Sequence, residues 1–394
     1  MRRLTCLLFF GLGLLLPNIA WQQPKNDSIT INDVKTVLNK TVMVQAEWAM
    51  RQQPITITAQ SSARSIGGKH YFYSEGDYWW PDPKDPSAPY IQKDGLTNPD
   101  NFTAHRLAMI RFSQIIGALA SSYKLTHQVK YIKQASLHLR AWFTNPETLM
   151  NPDLQYAQAI KGLTTGRGIG IIDTIQLMEV VQGLMAMEGD PAMDKTLAEQ
   201  VRNWFRQYLT WLTNSKNGLE EKAAKNNHGT CWTMQVACFA RFTKNKALMD
   251  TCINRFKNTL LPNQMAADGS LPLELKRTKS YGYSIFDLDA FATLCQILST
   301  PENNLWDFYT ADGRGIKKGV EYLYPYLFDK SKWPFQHDVM YWDEWPVAQP
   351  SLLFAAFAYQ NNRWFSTWKS LSHNPTVPEV IRNLPVRNPL IWLN

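Results

Sequence analysis

Two short blocks carry the side chains in this sequence that could do chemistry. Asn226-Asn227-His228-Gly229-Thr230-Cys231-Trp232 supplies amides and an imidazole. Leu271-Pro272-Leu273-Glu274-Leu275-Lys276-Arg277, followed by Tyr281-Gly282-Tyr283, supplies a guanidinium and a phenol. An amide and a guanidinium can hold a carboxylate, while an imidazole and a phenol can move protons beside it. Such a set suits removal of the proton next to a sugar carboxylate, with cleavage of the neighbouring bond. No metal-ligand spacing, nucleophile motif or nucleotide loop competes, so neither cofactor nor metal is expected. Gly166-Arg167-Gly168 is no dinucleotide loop, because no strand pattern precedes it and the spacing is wrong.

Those groups must be positioned by the elements around them. A helical run starts just after Asn226-Asn227, with Cys231, Trp232, Gln235 and Phe239 along one face. One asparagine then caps the helix and His228 falls in its first turn. The free N–H groups and partial positive charge there favour an anion and a neutral imidazole. A capping asparagine with a merely packed histidine is the competing reading. Leu271, Leu273 and Leu275 alternate with Pro272, Glu274 and Lys276, which predicts a short extended segment. If the extended form continued, Arg277, Lys279, Tyr281 and Tyr283 would face one side, with Arg277 and Tyr283 roughly 20 Å apart. A bend at Thr278 or Gly282 is therefore required. Ser284 and Asp287 resemble a helix cap, which puts Tyr283 at the mouth of the next helix, with Tyr281 as the alternative phenol. A nearby arginine or lysine would favour ionisation of that phenol.

Apolar residues at helical spacing dominate from residue 30 onward. Val34, Val37, Leu38, Val42, Ala46 and Ala49 predict a helix over 31–51, and 101–123 follows a cap at Asn98-Pro99-Asp100-Asn101. Further helices are expected at 127–143, 172–188, 193–213, 230–243, 246–261, 285–299, 315–328, 347–359 and 361–371. Alternating β patterns are nearly absent, Ile55-Thr56-Ile57-Thr58 being the main exception. The expected fold class is all-α: an (α/α) toroid or incomplete helical barrel, one domain over residues 21–394. No fixed period supports a solenoid.

Residues 52–100 break the helical pattern and are rich in aromatics. Loops of that length usually have a role, so Tyr78, Trp79 and Trp80 are expected to wall a sugar groove, a structural belt being the alternative. Asp77, Asp82 and Asp85 match no calcium loop and read as turn formers beside proline. Arg167, flanked by glycines, is either a second carboxylate holder or a structural arginine. His105-Arg106 reads as structural. Gln336-His337-Asp338 through Tyr341-Trp342-Asp343-Glu344-Trp345 reads as a groove wall, with His337 and Trp342 as sugar contacts. Trp232 and Lys276 complete the expected substrate contacts.

Residues 1–20 have the basic start, apolar run and small-residue end of a signal peptide. No later stretch reads as a membrane span, so an exported protein without membrane insertion is expected, periplasmic or secreted. Cys231, Cys238, Cys252 and Cys295 remain after cleavage; they are too few for a disulfide framework, and Cys231 and Cys238 read as core. Without Arg2 and Arg3 there are 39 basic residues against 33 acidic, which favours anionic partners. No Lys/Arg-rich run or nucleic-acid motif appears, so the expected partner is an acidic polysaccharide and not a nucleic acid. Oligomeric state cannot be read from the sequence.

Asn-Asn-His followed by an aromatic-bearing helix, then Leu-Pro-x-Glu-Leu-Lys-Arg and tyrosine, resembles the alginate lyase superfamily. Those two blocks are similar to polysaccharide lyase family five. Tyr73-Ser74-Glu75-Gly76-Asp77-Tyr78-Trp79-Trp80-Pro81-Asp82-Pro83, Thr97-Asn98-Pro99-Asp100-Asn101-Phe102 and Thr165-Gly166-Arg167-Gly168-Ile169-Gly170 look closer to family thirty-eight. The resemblance implies an (α/α) toroid performing β-elimination on alginate or a related polyuronate. It implies that Asn227 and Arg277 neutralise the carboxylate, that His228 assists or acts as base, and that Tyr283 is the catalytic phenol. One departure stands out: family five has tyrosine seven residues after the arginine, whereas position 284 here is serine. Two rivals remain. A glycoside hydrolase would need opposed carboxylates, for which Glu274, Asp343 and Glu344 are candidates. A sugar-capture protein would bind without turnover.

Overall fold

The computed structural model describes residues 28–393, so the expected signal peptide lies outside the described residues. The chain begins with α1 (Ile31–Met50) and then a long loop carrying β1 (Tyr73–Glu75), β2 (Trp79–Trp80) and β3 (Ile91–Gln92). Next come α2 (Ala104–Thr126), α3 (Val129–Phe143), β4 (Tyr156–Ala159), α4 (Leu177–Met187), α5 (Lys195–Asn214) and α6 (Lys216–Ala223). The central stretch holds α7 (Asn227–Phe242), α8 (Lys246–Arg255), α9 (Leu261–Gln264), α10 (Pro272–Leu275) and α11 (Ser280–Leu298). It ends with α12 (Ile316–Phe328), α13 (Pro350–Tyr359), α14 (Asn362–Ser370) and α15 (Pro378–Arg382).

Sequence character sorts these helices into two layers. In α2, α4, α7, α11 and α13 the side chains are buried around most of the circumference. Helices of that kind must sit inside. They pack α2 on α4, α4 on α7, α7 on α11 and α11 on α13, forming an inner arc. Helices α1, α3, α5 and α14 bury one stripe each, such as Val34, Leu38, Val42, Ala46 and Ala49 of α1. They lie against α2, α5 against α7, and α14 against α13, as the outer layer. The result is the expected all-α toroid in a single domain. The segment Gly168–Met187 is long and apolar enough to span a bilayer by composition, contrary to the sequence expectation, but it is mostly buried within this core.

Several local expectations give way. Residues 271–277 are not extended: Pro272 starts the single turn α10, a position where its missing N–H costs nothing. Helix α11 starts at Ser280 and not behind Ser284, whose hydroxyl donates to the Ser280 carbonyl from inside the helix. Ile57–Ala59 forms a 3-10 turn, not a strand. The stretch 168–176 is 3-10 and precedes α4. Helices α6 and α15 were not expected. Among the described residues, Cys231, Cys238, Cys252 and Cys295 are all buried and free, in keeping with the core reading of Cys231 and Cys238.

The aromatic loop is pinned at both ends of its turn. β1 pairs in parallel with β4, and β2 pairs antiparallel with β3. Beneath it, Arg106 of α2 bridges Asp77 at 2.7 Å and Asp173 at 3.1 Å, which makes Arg106 structural as expected. Asp77 is thus a buried ion-pair partner, not a simple turn former, while Asp82 and Asp85 do accept turn N–H groups.

Candidate active site

Five segments distant in sequence enclose one cavity of about 460 Å³: the loop from Asp77 to Asp94, Gln158–Arg167, the start of α7, the junction of α10 and α11, and α15. Of the expected residues, Tyr78, Trp79, Arg167, Asn227, His228, Arg277 and Tyr283 line it together.

Helix α7 starts at Asn227, with His228 in its first turn. Asn226 occupies the cap position but makes no side-chain capping bond. The capping anion comes from α10: Glu274 accepts from the Asn227 backbone N–H and from Asn227 Nδ2, both at 2.9 Å. This fixes the amide and leaves its second N–H uncommitted. Burial pushes the Glu274 carboxyl up, against the pull of those two Asn227 bonds. His228 Nδ1 lies 2.7 Å from the buried Glu221 carboxylate of α6, an acceptor that requires Nδ1 to carry the hydrogen. The cavity-lining imidazole therefore offers Nε2 as its free lone pair.

The phenol of Tyr283 meets a second phenol, that of Tyr78, at 2.6 Å. Arg277 lies over the Tyr283 ring at 4.2 Å. Its Nη2 and Nε bond Asp94 at 2.7 and 3.3 Å, leaving the Nη1 donors available. Asp94 reaches Arg277 because Gly95 turns at φ +78°, and a Cβ there would stand 2.4 Å from Thr278 Oγ1. These cations act on the phenol in the expected sense, but the expected net ease of ionisation is not reached. Burial and the neighbouring Tyr78 push the Tyr283 hydroxyl well above the usual phenol range, and Lys279 and Arg277 only partly oppose this. The phenol is therefore protonated at rest.

Among the described residues, Arg167 differs from the other cations of the cavity in having no carboxylate partner within ion-pair distance. Its Nε and Nη2 donate to the Gln158 carbonyl and side chain at 3.1 and 2.9 Å, with Trp79 5.8 Å away. It is held by neutral groups, and its charge remains available to an anion.

Other expected contacts lie elsewhere. Tyr281 is fully buried and donates to the Tyr326 carbonyl, packed on Trp333 and Trp342. Positions two apart on a helix point about 200° from each other, so Tyr281 and Tyr283 cannot share a face as an extended chain would allow. Trp80 leaves the cavity for the same kind of reason: successive strand residues face opposite sides, and its Nε1 bonds the Leu96 carbonyl. Trp232 is core, donating to the Leu212 carbonyl. Lys276 is exposed. His337 stacks on Trp342 at 3.9 Å, outside the cavity lining.

Sequence reasoning missed Asp94, Gln158, Glu221, Glu379 and Arg382, and noted Lys279 only for its parity with Arg277 and Tyr283. An Asp-Gly turn signal marked Asp94, but nothing local announces α15, whose Glu379 and Arg382 close the cavity. The three carboxylates lining it are all engaged: Asp77 with Arg106 and Arg382, Asp94 with Arg277, Glu379 with Lys279 and Arg382. The hydrolase candidate Glu274 is committed to Asn227, and Asp343 and Glu344 are exposed outside it. Among the described residues no group of three or more His, Cys, Asp or Glu side chains could hold a metal ion.

A helical toroid whose cleft joins aromatic walls, a free arginine, an imidazole and a phenol defines a polysaccharide-processing enzyme. The chain belongs to the Alginate lyase family, which matches residues 56–333, and it is a polysaccharide lyase. A crystal structure of an alginate lyase from Bacteroides ovatus is 31% identical with a TM-score of 0.79, covering 92% of this chain and 96% of that one. Alginate lyase A1-III from Sphingomonas species A1 shares the fold at 13% identity and a TM-score of 0.54, covering 90% and 94%. A histidine-to-alanine variant of A1-III, solved with a tetrasaccharide, gives a TM-score of 0.56 at 14% identity over the same shares. No curated protein matches the chain.

Proposed function

We propose that this protein cleaves alginate, or a closely related polyuronate, by β-elimination, with His228 and Tyr283 moving the protons. The observation that carries this is their meeting, with Asn227, Arg277 and Arg167, around one cavity. The sugar carboxylate would sit against the second Asn227 N–H and the Arg277 Nη1 donors, which stabilise charge as the C5–H bond breaks. Preorganised donors of this kind contribute ~3 kcal/mol each. Arg167 would hold the carboxylate of an adjacent sugar, and Trp79 would face a pyranose ring.

His228 Nε2 takes the C5 proton, the electron pair forms the C4=C5 double bond, and the C4–O4 bond breaks. The departing O4 takes the Tyr283 proton, which the phenol holds at rest. This division suits linkages whose C5–H and O4 lie on opposite faces, as in guluronate. The 2.6 Å contact with Tyr78 supports a second reading, in which Tyr283 first loses its proton to water and, as a phenolate accepting from the Tyr78 O–H, takes the C5 proton and returns it to O4 on the same face, as mannuronate requires. A panel of polymannuronate, polyguluronate and glucuronan separates them. A polymer substrate also fits export to the periplasm or medium, which cell fractionation would check.

Tyr283→Phe should abolish the ultraviolet-absorbing unsaturated product while leaving the protein folded, by a cooperative melting curve. Turnover at the wild-type rate would discard the assignment.

A further inference from the structure

Tyr283 lies between two cations, each held from behind by a carboxylate from a remote segment. Arg277 with Asp94 is one pair. The other is Lys279, the residue immediately before α11, with Glu379 of α15 at 3.1 Å. We propose that Lys279, held by Glu379, is a positioning residue that stabilises the negative charge left on Tyr283 when its phenol gives up a proton. The proposal rests on the reading of Tyr283 as the proton-transferring group.

The geometry is specific. The Lys279 carbonyl accepts the Tyr283 N–H at 3.0 Å, so ammonium and phenol share the first turn of the helix. The ammonium lies 5.2 Å from the Tyr78 ring centre and 5.4 Å from those of Tyr283 and Tyr341. It is thus enclosed by the two hydrogen-bonded phenols, where charge appears whichever of them loses the proton. Lys279 is only 6% exposed. Burying an ammonium is costly and a clamp could be apolar, but a cation beside the ring lowers the energy of a phenolate, which an apolar clamp would not, and does so more strongly where water is excluded. Lys279 itself stays protonated, since Glu379 and Tyr283 together outweigh the effect of burial.

The other groups facing Tyr283 have fixed roles. Tyr78 comes from the loop, and Arg277 is neutralised by Asp94. Arg382 is taken up by Asp77 and Glu379. Asp338 accepts from the Gly282 N–H, and His228 lines the cavity with Glu221 behind it. Glu379 and Arg382 lie beyond residue 333, where the family match ends.

The test is the pH profile of kcat, with KM measured alongside, for the full-length protein on alginate. Lys279→Met should lower kcat about tenfold with KM nearly unchanged and move the phenol-dependent limb up by about one pH unit. Glu379→Gln, which leaves the ammonium unneutralised, should move that limb to lower pH. Lys279→Arg should hold the limb in place. If Lys279→Met and Glu379→Gln move it in the same direction, or lower kcat without moving it, the pair is a clamp only and the proposal fails. Should Lys279→Met not fold, by its melting curve, the sign of the Glu379→Gln shift decides alone. Activity in Tyr283→Phe would overturn the reading of the site itself, whereas an inactive Tyr283→Phe with an unmoved limb overturns only the role of Lys279.

Discussion

The mouth of α11 and the segment 336–345 hold the same kinds of residue, yet only the first belongs to the cavity. Each carries tyrosine, an aspartate or lysine close by, and aromatic neighbours. At α11 the helical turn sends Tyr283 into the cleft, where Tyr78, Arg277 and Lys279 surround it. In the other segment, His337 and Trp342 stack on each other, and Trp342 packs on Tyr281 from the outside. Asp338 of that segment serves the site at one remove, accepting the Tyr281 and Gly282 N–H groups at 2.9 and 2.8 Å and so anchoring the start of α11. Residue type shows what a segment could do; the face it presents decides whether it does.

The largest effect expected inside the site, after loss of Tyr283 itself, is at Glu221. Glu221→Gln removes the anion that orients His228 and stabilises it once protonated, so kcat should fall about 10²-fold while KM changes little. Wild-type kcat in that variant would mean that the imbalance between the two regions does not rest on an oriented imidazole. A smaller contrast sets the cavity directly against the outer segment. Arg167→Gln should raise KM on alginate about tenfold by removing a cavity arginine that the neutral groups of Gln158 hold. His337→Ala should leave KM within error, and equal effects would show that the outer segment also touches substrate.

The smallest effect on catalysis is expected at Asp289, further along α11 and away from the cleft. Burial pushes its carboxyl up to about 7, against the N–H of Ser351 at 3.0 Å. The folded state therefore keeps a proton that the unfolded chain releases near its ordinary value of 3.8. Stability from this group is full below that value and is lost as pH rises through about 7. Asp289→Asn should flatten that decline in melting temperature while leaving kcat unchanged. A kcat loss would extend the functional region into the helix core.

Much of the fold was legible because burial around a helix leaves a periodic trace. Apolar periodicity placed α1 and α2 to within a few residues, but the cap read at 98–101 is not one: Thr103 takes the N-cap position without a side-chain bond, while Asn98 and Asn101 donate to the Trp79 and Gly76 carbonyls of the loop. The one-turn α10 was not legible: alternating leucines satisfy a strand and a proline-started turn equally well, and Glu274 facing Asn227 decides for the turn. The assumption of an extended chain there also put Tyr281 and Tyr283 on one side. Helix α15 carries too short an apolar pattern to announce itself, yet it supplies Glu379 and Arg382. Three cations and three carboxylates, Lys279, Arg382 and Arg106 with Glu379, Asp77 and Asp173, join it to the loop and to α2.

By itself the sequence determined the helical class, the two blocks that carry the imidazole, amide, guanidinium and phenol, and the aromatic character of the loop above them. Those follow from composition and spacing, which are local. Only the tertiary structure decided that Asp94 holds Arg277, that Glu379 holds Lys279, that neutral groups of Gln158 hold Arg167, and that burial makes the Tyr283 phenol harder to ionise. Desolvation and Coulomb forces act through distances of a few ångströms between segments hundreds of residues apart, and no spacing along the chain encodes them.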